Sequence, residues 1–156
     1  MAETANFARL FDYDNWANAA HLDSLRKAGS PPASALKAFA HVVATRRIWL
    51  KRLDARYATD LKFYPALDAA GCAALMAEEQ SLWKELLAGL DDQALDATRS
   101  FKDSLGNPYT MRVRDMLMHV LLHSAHHRGQ VALELRQAGF TPADADLYIS
   151  PMARPA

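Results

Sequence analysis

Cysteine is nearly absent from this sequence. Cys72 stands alone among 156 residues, so neither an internal disulfide nor a cysteine-rich zinc site can form. A reducing, cytoplasmic setting is the expectation. Charge of one sign is lacking too. Lys plus Arg number 18 and Asp plus Glu number 18, giving a formal net charge of zero, whereas proteins that grip phosphate backbones carry a basic excess. The one basic block is Arg46, Arg47, Lys51 and Arg52, and no nucleic-acid partner is expected. Long hydrophobic runs are also missing. The best candidate, residues 116–122, is broken by His119 and falls short of the roughly 18 apolar residues a membrane span requires, so no membrane partner is expected. Met1-Ala2-Glu3-Thr4 has neither the basic nor the apolar region of a secretory signal. No internal repeat or low-complexity tract is visible.

What remains is ordinary globular material. Hydrophobic residues make up 51% and charged residues 23%, enough for one core in a single domain over residues 1–156. Helical periodicity marks four segments. The first covers residues 4–27, with Phe7, Leu10, Phe11, Leu22 and Leu25 on one face, and stops at Gly29-Ser30-Pro31-Pro32. The second covers 34–57, with Ser34 as N-cap and Phe39, Val42, Val43, Trp49, Leu50, Leu53 and Tyr57 buried. The third covers 68–89. The fourth covers 113–138 and stops at Gly139, with Pro142 beyond. Between the last two, residues 98–102 and 109–111 flank Ser104-Leu105-Gly106-Asn107-Pro108, which predicts a short hairpin or an ordered loop lying on the helices. The expected fold is all-α, a four-helix bundle. Trp16, Trp49 and Trp83 read as core.

Chemistry concentrates in the fourth helix. Of six histidines, His119, His123, His126 and His127 fall within nine residues. Two histidines four apart project from adjacent turns of one helix face and can reach a common metal ion. On a wheel of roughly 100° per residue, His127 lies close to the apolar stripe of Val113, Leu117, Val120, Ser124, Val131 and Leu135. His123 lies at its edge, His119 further round, and His126 points away. His123 and His127 therefore form the better pair. No Glu follows the first His, so this is not a metalloprotease helix.

A third ligand must come from another segment. His41 on the second helix leads, on a face shared with Thr45, Ile48 and Arg52 that suits a cleft wall. His21 competes, sharing a face of the first helix with Asp14 and Asn18; for that trio a buried hydrogen-bond network is the simpler expectation. Arg128 reads as an anion anchor at the rim or a surface ion pair, and Cys72 as a small buried apolar residue.

These residues resemble a known family. His119-Val-Leu-Leu-His123-Ser-Ala-His126-His127-Arg128-Gly129-Gln130 is similar to the fourth-helix signature of the DinB/YfiT-like metalloenzymes. Phe11-Asp-Tyr-Asp-Asn15-Trp16-Ala17-Asn18 resembles their N-terminal segment, Ala40-His41 followed by Trp49-Leu50 their second helix, and Leu135-Arg-Gln-Ala-Gly139 with Asp146-Leu147-Tyr148 their close. The resemblance implies a four-helix bundle with a divalent metal, nickel or zinc, held by His41, His123 and His127. It further implies a homodimer, a link to stress responses, and a metal-dependent thiol transferase or hydrolase acting on a small molecule or with a low-molecular-weight thiol. The alternative is a non-catalytic metal-binding or stress-response bundle. Asp115 and Glu134 lie two turns from the ligand pair in either direction, so no general base can be named.

Overall fold

The structure, a computed structural model, describes residues 3–153; the first two residues of the N-terminal segment discussed above lie outside them. Four long helices, α1 (Glu3–Lys27), α2 (Ala33–Leu53), α3 (Ala69–Ala88) and α5 (Val113–Gln137), make up most of the chain. A short α4 (Asp92–Asp96) and two strands, β1 (Thr98–Lys102) and β2 (Pro108–Arg112), stand between α3 and α5. The protein is thus mostly helical with one small antiparallel sheet, and of the two readings for residues 98–112 the hairpin is the one observed. Its register runs from Thr98 opposite Arg112 to Lys102 opposite Pro108. Each long helix packs chiefly against two others, α1 on α3 and α5 and α2 on α3 and α5, with a smaller contact between α1 and α2.

Helix ends follow local chemistry. Asp68 caps α3 by accepting from the Gly71 amide at 2.7 Å, and Asp91 does the same for α4 through Ala94. At the end of α5, Gly139 takes φ +84°, and the Phe140 amide reaches back to the Leu135 carbonyl at 2.9 Å, a C-terminal closure that needs a left-handed residue. Two expectations for α2 are corrected. Ser34 is not its N-cap: Pro32 holds that place, and the Ser34 hydroxyl donates to Glu134 on α5 at 2.6 Å. Nor does α2 continue to Tyr57. Asp54 turns extended, its carboxylate accepts from the Arg56 amide at 2.9 Å, and a separate 3-10 turn over Ala55–Tyr57 follows. Tyr57 stays buried, its hydroxyl 3.1 Å from Glu85.

The core has two apolar regions. One gathers Phe7, Phe11, Trp49, Trp83, Met116 and Leu117; the other gathers Leu25, Phe39, Val43, Cys72, Val131 and Leu135. Trp16, expected in the core, is only half-buried. On each long helix a polar residue falls between members of the two regions: Asp14 on α1, Arg46 on α2, Glu79 on α3 and Arg128 on α5, all buried. Asp14 accepts from both Arg46 and Arg128, one guanidinium on each carboxylate oxygen. Arg128 also donates to Asn18 at 2.9 Å, and Arg46 to Asn15 at 2.7 Å and Glu79 at 3.2 Å. Buried charges persist only when paired and hydrogen-bonded, and one carboxylate here fastens three helices.

Candidate metal centre

The three histidines sit on α2 and α5. His123 and His127 project from successive turns of α5, and His41 faces them from α2. Their candidate ligand nitrogens all lie within 4.8 Å of one another. Ring centroids are 4.3 Å apart for His123 and His127, 4.5 Å for His41 and His127, and 4.9 Å for His41 and His123. The Nε2 atoms of His41 and His123 face each other at 3.2 Å. A tetrahedral ion with bonds near 2.0 Å keeps its ligand nitrogens roughly 3.3 Å apart, so that pair already has the spacing such an ion demands.

The other ring nitrogens are engaged where the structure records partners. His41 Nδ1 donates to the Phe63 carbonyl at 2.6 Å, and His127 Nδ1 donates to Gln130 Oε1 at 2.6 Å. A proton held at Nδ1 leaves the Nε2 lone pair for a metal, and outer carbonyl partners of this kind fix tautomer and orientation in metal sites. Tyr64 stacks on the His41 ring at 4.2 Å and 6°. Burial holds His41 below the ordinary imidazole range, partly offset by its bond to Phe63. His123 is pushed down to about 3, chiefly by burial and then by its histidine neighbours. Both rings are neutral near pH 7, as ligands must be.

The remaining histidines go elsewhere. His119 packs on Trp49 with centroids 4.4 Å apart, and burial together with the Arg52 charge holds its pKa down. His126 is exposed and accepts from Gln130 Nε2 at 3.3 Å. His21, the competing third ligand, is buried on α1 with Nδ1 donating to the Ala17 carbonyl at 2.9 Å, outside the convergent group. Arg128 is neither a rim anchor nor a surface ion pair, being buried against Asp14 and Asn18. The basic block dissolves in the same way: Arg46 is interior, while Arg52 lies against aromatic rings. The Cys72 thiol is buried and pushed up to about 11 by desolvation, which makes it unreactive.

Beside the histidines opens a cleft of about 710 Å³, walled by α2, the 62–64 segment and the hairpin, with His41 and His123 at one side. Asp103 is the one carboxylate among its lining residues, and it accepts from the amides of Leu105 and Asn107 at the hairpin tip. Asp115 pairs with Arg112, and Glu134 with Ser34. Neither carboxylate is committed to the histidines. Phe63, Tyr64 and Gln130 had no assigned role from sequence; only Gln130, three residues after His127, carried a signal in its spacing.

Comparison with known proteins completes the picture. No curated protein matches this sequence. Among solved structures, the crystal structure of a DinB-like protein from Bacillus cereus superposes with a TM-score of 0.71 at 24% identity, covering 90% of this chain and 95% of that one. At that identity the likeness concerns the fold. The DinB family profile matches residues 6–154, nearly the whole sequence, and the chain belongs to the DinB family.

Proposed function

We propose that the four long helices form a four-helix bundle whose His41, His123 and His127 hold a divalent metal, zinc or nickel, in a metal-dependent enzyme acting on a small molecule. The observation that carries this reading is the convergence of three imidazoles, of which His41 and His127 each donate from Nδ1 to a carbonyl oxygen. The chemistry such an ion supplies is to lower the pKa of a water or thiol toward neutrality. The chain's own residues do the rest. His41 is held in place between the Phe63 carbonyl and the Tyr64 ring, and with His123 it faces the cleft. Among the described residues lining the cleft, no carboxylate is free to act as a base. A water or a thiol whose pKa a bound ion would lower needs no separate base, which is compatible with either hydrolysis or thiol transfer.

The experiment is metal analysis of the purified protein together with His123→Ala and His127→Ala. Wild type should retain about one zinc or nickel per chain after desalting, and each variant should lose it. Unchanged metal content in both variants would refute the assignment. Incubation of the loaded protein with a panel of thiols and electrophiles then reads catalysis directly.

The homodimer has a face available for it. Met118, Leu122, Ala125, Gly129 and Leu133 form an exposed stripe along α5 with no charge among them, the kind of surface that marks an interface. A reducing, cytoplasmic location accords with the lone, buried Cys72, and no helix of the described residues is long and apolar enough to cross a membrane.

A further inference from the structure

Arg52 is an unusual cation. Its guanidinium carbon lies 4.6 Å from the Phe101 ring centroid, 4.7 Å from Trp49 and 5.4 Å from Phe63. Three aromatic rings thus lie within cation–π range of its charge, and its N–H groups remain available for hydrogen bonding. One edge nitrogen, Nη2, donates to the Lys102 carbonyl at 2.7 Å. No carboxylate of the described residues forms an ion pair with it. Desolvation lowers its pKa, with Asp103 acting the other way. A half-buried guanidinium without a bonded anion is a poor use of burial unless an anion arrives from solution.

Its position says what else that anion carries. Arg52 lines the same cleft as His41, His119 and His123, and the Trp49 ring lies against both Arg52 and His119. The wall between cation and histidines is therefore aromatic and apolar, with Met111 and Tyr109 from the hairpin continuing it. Around the cleft, Arg52 and Lys62 stand against Asp103, a net charge of +1, which matches a monoanion better than a phosphate dianion.

We propose that this cleft binds small carboxylates with an aromatic or apolar body, the carboxylate on Arg52 and the body lying along Trp49 toward the histidines. That this carboxylate is the substrate class of the enzyme rests on the metal-centre reading above; the binding itself does not.

The test titrates benzoate and the near-isosteric neutral benzamide into chelator-treated protein and follows binding by calorimetry or amide chemical shifts. Wild type should bind benzoate about tenfold tighter than benzamide, the size expected of a charge-assisted bidentate contact. Arg52→Gln should erase that preference while benzamide affinity stays within twofold, showing that the apolar wall is intact. His127→Ala should keep it. Wild type without the preference, or Arg52→Gln that retains it, overturns the proposal. So does equal loss of both ligands in Arg52→Gln, which would mean Arg52 only ties β1 to α2. Failure of zinc to bind, with the benzoate preference intact, sinks the metal centre and leaves the anion site standing. Tight zinc binding without the preference does the reverse.

Discussion

Replacing Asp14 by Asn keeps the side chain's volume and removes one charge from the middle of the protein. In the wild type the Asp14 carboxylate, 1% exposed, is shared by two guanidiniums that are 2% and 4% exposed. Breaking a buried ion pair by removing one partner costs about 3–5 kcal/mol, because the survivor stays buried without compensation. Here two survivors remain, while Glu79 and Asn18 still reach one guanidinium each, which places the expected loss near the lower bound, at about 3 kcal/mol. For a domain of this size that is a fall in melting temperature of roughly 6–12 °C. Circular dichroism melts at pH 7 measure it, with exposed Asp12→Asn as the control expected to stay within about 0.5 kcal/mol of wild type. Combining Asp14→Asn with Arg128→Met should be less harmful than the sum of the singles, since the second change removes a charge the first has stranded. An Asp14→Asn protein that melts within about 2 °C of wild type would refute the idea that this carboxylate fastens α1, α2 and α5 together.

Other expectations are simpler. Gln130→Ala removes the acceptor on His127 Nδ1 and should weaken metal affinity by about 10- to 100-fold, read by competition with a chromogenic chelator; an unchanged constant would show that Gln130 does not orient the ligand. Burial pushes Glu79 up to about 8 from an ordinary 4.5. Its partner Arg46 keeps its charge because Asp14 also serves it, whereas Glu79 has one donor and an unpartnered Oε2 among the described residues. The folded state therefore holds the Glu79 proton longer than the unfolded chain, and this contribution is complete below pH 4.5 and lost as pH rises toward 8. Chemical denaturation should show stability declining by up to about 5 kcal/mol across that window, with the slope flattened in Glu79→Gln; equal slopes would exclude Glu79 as the source. Leu122→Glu, at the most exposed of the large apolar side chains on the α5 stripe, should shift a homodimer to monomer in light scattering without changing metal content, and a wild-type monomer at tens of micromolar would remove the dimer from consideration.

What could be seen before the structure, and what could not, follows from how each residue is positioned. The spacing of His123 and His127 lies within one helix, where 3.6-residue geometry places side chains without reference to the rest of the fold. His41 is the leading third candidate in the sequence, but its wheel position beside Thr45 and Arg52, off the apolar side of α2, argues for a cleft wall and not for a ligand, and it is the family resemblance that singles it out. Phe63 and Tyr64 come from an irregular segment between α2 and α3, where no period dictates which groups point inward. Glu79 was hidden for the opposite reason. A Glu in a helix beside another Glu reads as a solvated face, and only Arg46 arriving from α2 makes it interior. The short α4 was likewise invisible, since five residues cannot display a helical period.

The hairpin runs into α5 without an intervening loop: Arg112 ends β2 and Val113 begins the helix. The chain thereby separates two duties along one continuous rod. The helical half carries the histidines and is anchored by the buried Arg128, while the exposed tip at Leu105 and Gly106 touches solvent on most sides. Insertions or deletions confined to that tip should therefore leave the packing of α5, and the placement of its histidines, unchanged.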